Sequence, residues 1–250
     1  MIEELPIHSI GELADSVSQI HNRFGERLWY RGQSDAKKVL VPAIQRPEYT
    51  KANERHLSNA FRIRANRVLD ASPQKEDYSA WLSLMQHYGL PTRMLDWSAS
   101  PLVAAFFATE KEKRTDSCIW VLRPRLLNKI EIGDDRLYPV DSRLANRLLR
   151  CAFAGDTELT DQEKDIIMAC HSTQKDLRMY AQQSCFTIHN SYRTIEGINC
   201  ANLMFKLIIP NENRKNIRDN IYALGISRSY CFPDLENIAL DLKGDKNDWI

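Results

Sequence analysis

Between Tyr78 and Ala108 the chain spells out a helix, a stop, an extended stretch and a second helix, an order that limits the fold more than any other segment. Tyr78, Trp81, Leu82, Met85 and Tyr88 recur at helical spacing, Gly89 stops that helix just past its last turn, and Pro91 marks the break. Thr92-Arg93-Met94-Leu95-Asp96-Trp97 then reads as a strand or extended entry, Ser98-Ala99-Ser100 as a cap, and Pro101 as the first residue of a helix reaching about Lys111.

The rest of the chain repeats these materials without a regular alternation. An amphipathic helix runs from Ile10 to Phe24, capped by Ser9 and ended by Gly25; another presents Leu57, Ala60, Phe61, Ala65, Val68 and Leu69 on one face. Short apolar strands are predicted at 28–31, 118–122, 185–189 and 203–209. A helical middle section is predicted over about 140–175, with helices at 140–153 and 161–171; later helices span 211–224 and 233–242. No βαβ rhythm, internal repeat or low-complexity linker appears, so residues 1–250 are expected to form one α+β domain.

Composition excludes several classes. Thirty-four lysines and arginines against 33 aspartates and glutamates leave a formal charge of +1, which argues against extended nucleic-acid binding while leaving room for a local basic patch. The first residues lack a basic stretch followed by an apolar core, and the longest nearly apolar run, 101–108, falls far short of the ~20 residues a spanning helix needs. A cytoplasmic location and no membrane are therefore expected. The six cysteines are widely spaced, with no Cys-x-x-Cys pair and no histidine at ligand spacing, so they read as buried thiols and no metal is expected.

Two stretches carry the candidate chemistry. In Trp29-Tyr30-Arg31-Gly32-Gln33 a permanently charged guanidinium ends an apolar strand, where its fork of donors needs an anion. That anion is either a ligand phosphate or a buried carboxylate such as Asp96, and Gly32 lets a ligand or another backbone come close. The second stretch, Gln86 to Ser100, surrounds a helix end and a helix start, where backbone N–H groups are left free. His87 is a general acid or base, or else a helix-end hydrogen-bonder; Trp97 stacks on a ligand ring, or else fills core; Ser98 and Ser100 are first of all helix caps. Arg31, His87, Asp96 and Gln183 form the candidate catalytic set. Tyr30, Gly32, Gln33, Thr92, Arg93, Trp97, Ser98 and Ser100 form the candidate ligand-binding set.

Trp29-Tyr30-Arg31-Gly32-Gln33, Trp81-Leu82 and the long block Gln86 to Ala104 resemble the FRG domain, named for its Phe/Tyr-Arg-Gly motif. Gln182-Gln183-Ser184-x-Phe186-Thr187-x-His189 and Phe232-Pro233-Asp234-Leu235 are also similar to that family, with Ser184 where glycine is usual. The resemblance implies a bacterial or phage-associated protein. A more distant likeness is to ADP-ribosyltransferases, in which an early strand supplies an NAD-holding arginine and a Ser-Thr-Ser segment enters a helix. Arg31 and the run Ser98 to Ala108 are similar to those two elements; Gln182-Gln183 falls where the third, a catalytic glutamate, would lie, and offers amides.

That likeness implies a mixed or antiparallel β core with surrounding helices and NAD as the substrate of a transferase or glycohydrolase acting as a toxin or anti-phage effector. Arg31 would anchor the pyrophosphate, Trp97 or Tyr30 would stack on the ring, and Asp96 or His87 would orient the ribose or nucleophile, with Glu236 a further candidate carboxylate. The alternatives are a module that binds a nucleotide-like ligand or a protein partner without turnover, and a magnesium nuclease built on Asp96, Asp234 and Glu236.

Overall fold

In the computed structural model, residues 2–111, 113–157, 159–173 and 176–244 are described. Eight strands form one mixed sheet in the order β1-β8-β4-β2-β3-β7-β6-β5. They are β1 (Glu3–Pro6), β2 (Trp29–Gln33), β3 (Met94–Ser98), β4 (Ser117–Leu122), β5 (Tyr138–Pro139), β6 (Ile167–His171), β7 (Ser184–His189) and β8 (Met204–Ile209). Only the outer pairs, β1 with β8 and β5 with β6, are parallel; all pairs between them are antiparallel. The α+β reading is thus correct at the level of class, with an open mixed sheet as its frame.

One face of the sheet is covered in two halves. Over β2, β4 and β8, Tyr30, Ile119, Val121, Phe205 and Leu207 pack against α1 (Ile10–Phe24), α4 (Pro101–Thr109) and α9 (Arg214–Ala223). Over β3, β7 and β6, Met94, Phe186, Ile188, Met168 and Cys170 pack among residues of α2 (Lys51–Ala65), α3 (Tyr78–His87), α6 (Arg143–Leu149) and α7 (Cys151–Ala154). The opposite face buries Trp29, Leu95, Trp97, Trp120 and Leu127, the last from α5 (Pro124–Ile132). Asp96 shares the pleat face of Met94 and Ser98, so it rises where the two helical halves leave a gap.

The caps fall where the side chains dictate. Ser9 accepts from the Glu12 N–H and Ser100 from the Val103 N–H, while Gly25 takes a left-handed φ of 62° after α1. The expected helical middle section is corrected: it consists of α6 and α7 alone, and the helix expected at 161–171 is β6 after a short 3-10 turn. Ile167 to Cys170 is fully buried between β5 and β7, and a continuous apolar run of that length satisfies a two-sided strand as readily as a buried helix. The edge strands β1 and β5 and the short helices α8 (Leu177–Ala181) and α10 (Arg228–Cys231) carried too little periodicity to predict, and α5 was missed although Pro124 opens it and Gly133 ends it; α11 (Leu235–Gly244) falls close to its expected place. Among the described residues no helix is long and apolar enough to cross a membrane.

A buried polar chain stiffens the sheet centre. The Trp97 indole donates to Thr187 Oγ1 at 3.0 Å, and that hydroxyl bonds His189 Nε2 at 2.8 Å. His189 is 1% exposed, and burial, helped by the nearby charge of Arg31, drives its pKa down to about 3. The ring is therefore neutral in the fold, whereas an unfolded chain protonates it near ~6.5. Its contribution to stability is complete above that value and is lost as pH falls toward 3. Partly buried His171, also lowered by burial, acts in the same direction. Urea unfolding between pH 6 and 5 is expected to weaken by roughly 1.4 kcal/mol per pH unit on account of His189, with His171 adding a change of the same sign, and His189→Asn is expected to flatten that slope. An unchanged slope in the variant would count against a neutral His189.

Candidate functional site

The sheet comes apart at one place. β2 is laddered along its whole length to β4, and β3 to β7, but β2 and β3 meet only at Tyr30 and Ser98. Arg31 fills the divergence: its Nη1 donates to the Asp96 main-chain carbonyl at 2.5 Å, in place of the ladder bond that the parted strands cannot make. No ion pair joins Arg31 to the Asp96 carboxylate among the described contacts. The Asp96 side chain is therefore not its hydrogen-bond partner: the guanidinium holds the Asp96 backbone, and its buried Nε has no hydrogen-bond partner within the protein.

A cleft of about 520 Å³ opens at this seam. Val103, Ala104 and Phe107 of α4 form one wall, Ser34, Lys38 and Arg46 reach in from the loop after β2, and Arg178, Gln182, Arg228 and Phe232 come from the far end of the chain. Six of its residues are cationic (Arg31, Lys38, Arg46, Lys111, Arg178, Arg228) and two anionic (Asp96, Glu110). Glu110 is taken by Arg228, which leaves Asp96 facing the remaining cations.

The Asp96 side chain is open to solvent yet closely surrounded by protein. Burial raises its pKa, and the opposing charges of Arg31 and Arg178 offset only part of that rise. Gln86 Nε2 donates to both carboxylate oxygens at 3.2 and 3.3 Å. A carboxylate that is reachable, held by an amide and depressed in acidity is suited to accept a proton or to face a developing positive charge.

The remaining expected site residues divide sharply. Tyr30, Gly32, Gln33, Trp97 and Ser98 line the cleft with Arg31 and Asp96. Tyr30 is a core residue, its phenol pushed up to about 12 by burial; Trp97 is 3% exposed with its N–H committed to Thr187; and Gln33 accepts from the Trp120 indole at 2.7 Å. Ser98 donates to the Gln182 carbonyl. These groups build the walls. Gly32 admits a backbone and not a ligand, since a Cβ there would lie 1.9 Å from the Ala104 carbonyl oxygen.

Ser100, which caps α4, and Thr92, Arg93, His87 and Gln183 are not part of the cleft lining. Thr92 is buried and accepts from the Met94 N–H. Arg93 grips Glu54 with two bonds of 2.8 and 2.5 Å, beside a separate hollow of about 90 Å³ in which Lys51 also pairs with Asp156. His87 is exposed at the end of α3 and reaches the cleft only through a small neighbouring hollow. Gln183 holds a left-handed φ of 46° and its carbonyl accepts from Ala99, so it makes the turn into β7; Gln182, one residue earlier, is the glutamine that lines the cleft. Among the described residues Asp96, Asp234 and Glu236 do not gather into a metal-binding group.

The cationic residues missed from sequence are scattered from 38 to 228 in a chain of balanced charge, so no local run announces them. The one available signal was that Phe232 lies in a stretch already singled out and Arg178 just before another; the Arg178 guanidinium sits over the Phe232 ring at 4.7 Å.

No curated protein and no solved structure matches the chain. The family model of the FRG domain matches residues 26–117, which contain Arg31, Gly32, Asp96 and the wall helix α4. Arg178, Gln182 and Phe232, which complete the cleft, follow the match. The segment that matches the FRG domain thus contains β2 and β3, and the seam between these two strands is the floor of the cationic cleft.

Proposed function

We propose that the cleft binds a nucleotide carrying a diphosphate, with NAD as the ligand and its glycosidic bond as the point of attack. The observation that carries this reading is the six-to-two excess of cationic over anionic residues around one accessible carboxylate. Arg31, Lys38, Arg46 and Lys111 hold the diphosphate, and Asp96 faces the ribose. As the bond to nicotinamide lengthens, positive charge develops on the ribose, and a carboxylate fixed in place beside it stabilises it. Gln86 orients that carboxylate. The protein then acts as an NAD-consuming transferase or glycohydrolase, a chemistry that suits a toxin or anti-phage effector.

A second reading, binding without turnover, is favoured by the absence of His87 from the cleft lining, which leaves Asp96 without a histidine beside it there. One experiment separates the two. Calorimetric titration with ADP-ribose is expected to show saturable binding that weakens with salt and falls about tenfold or more in Arg46→Glu with Lys111→Glu. Incubation with NAD is expected to release nicotinamide, and Asp96→Asn is expected to lose at least about a hundredfold of that rate while retaining ADP-ribose. Binding without nicotinamide release establishes the second reading. Absence of binding to NAD, ADP-ribose and ADP removes both.

A further inference from the structure

Beyond Asp96 the cleft does not end. A hollow of about 50 Å³ shares Asp96, Arg178 and Gln182 with it, and a larger hollow of about 220 Å³ shares Ser83, His87, Asp176, Met179 and Phe186 with the small one. Together they make a groove between α3 and α8, floored by Phe186 of β7. Ala80, Ser83, Leu84 and His87 border it at helical spacing, so one stripe of α3 forms its length.

The groove changes character along its course. Its outer end is walled by Leu69, Pro73, Leu84, Val140, Met179 and Phe186, with the hydroxyls of Ser83 and Thr173 around it and that of Ser172 bonded to Met179 Sδ. For scale, a cavity of about 150 Å³ lined by aliphatic side chains holds benzene. An outer pocket of about 220 Å³ is therefore of the size for a substituted aromatic ring. His87, which has no place in the main cleft, borders both smaller hollows.

We infer that the outer pocket seats an aromatic side chain of a polypeptide whose neighbouring residue is thereby brought to Asp96. The apolar walls take the ring, the hydroxyls of Ser83 and Thr173 serve the peptide groups on either side of it, and the groove leads from that anchor to the carboxylate. The nucleotide and the polypeptide then approach Asp96 from opposite directions. That the two meet there rests on the function proposed for the cleft; the seating of the ring does not.

The test uses the whole protein and a fluorinated probe, N-acetyl-4-fluorophenylalanine amide, followed by fluorine NMR. Saturable binding is expected in the wild-type protein, weakened about tenfold or more in Ala80→Phe, which fills the pocket, as loss of much of one buried ring implies. Ser83→Leu narrows the same groove by a different side chain and is expected to act alike, so the result does not hang on one variant folding. N-acetylalanine amide should not displace the probe. No saturable binding in the wild type, an unaltered affinity in a folded Ala80→Phe protein, or equal competition by the alanine amide would each overturn the inference. ADP-ribose titrated into the same variants should bind as in the wild type. Failure of ADP-ribose to bind the wild-type protein at all would remove the cleft reading and leave the pocket standing.

Discussion

Gly32→Ala will cost the protein about 3 kcal/mol or more of stability, with the melting temperature lowered by roughly 10 °C. The added methyl would stand 1.9 Å from the Ala104 carbonyl oxygen and 2.5 Å from the Ala108 nitrogen, both in the backbone of α4, and neither can swing aside as a side chain would. Relief requires lifting α4 from β2, which opens the packing of Val103, Ala104 and Ala108, all completely buried. Thermal melting followed by circular dichroism measures it. A shift of only about 2 °C would mean that α4 yields easily, contrary to the packing described above.

The second large effect concerns the other arginine of the two stretches. Glu54→Leu is expected to destabilise the fold by about 3 to 5 kcal/mol, because it strands Arg93 in a site where the charge has lost its bidentate partner. Both side chains are largely hidden, at 12% and 5% exposure. The double variant Glu54→Leu with Arg93→Leu should recover much of the loss, since a buried ion pair replaced as a unit by apolar groups is often close to neutral. Chemical denaturation of the two single variants and the double variant gives the coupling. Equal destabilisation by the single and double changes would show that the pair acts through shape alone. This pair is a strut, whereas among the described contacts Arg31 is bonded to a main-chain carbonyl and not to a carboxylate.

Seven of the twelve candidate residues named from the sequence line the cleft; the other five lie outside its lining. The helix-stop-strand-helix order from Tyr78 to Thr109 was legible because Gly89, Pro91, Ser100 and Pro101 each act locally. Arg31 and Asp96 were legible as a pair because charge at the end of an apolar strand demands an explanation. What stood between them was not: a guanidinium bonded to a main-chain carbonyl leaves no mark in residue identity. Arg93 and Arg31 looked alike in sequence, and only the third dimension brings Glu54, 39 residues away, to one of them. Gln183 and Gln182 were separable only by the left-handed turn that aims the earlier one inward. β6 was misread because burial on both faces erases the alternation that distinguishes a strand. The cationic excess was invisible because opposite charges elsewhere on the surface balance it in the total.

The single rung between β2 and β3 bears on what the family match can mean as a physical object. Within residues 26–117 these two strands have no other pairing with each other; β2 is otherwise zipped to β4 and β3 to β7, partners whose residues fall almost wholly after the match. Excised at those limits, both strands would present naked hydrogen-bonding edges, a form prone to associate with other chains. The matched segment thus depends on the strands that follow it for its architecture, and substitutions in those later strands can reshape the cleft while the motif residues stay unchanged.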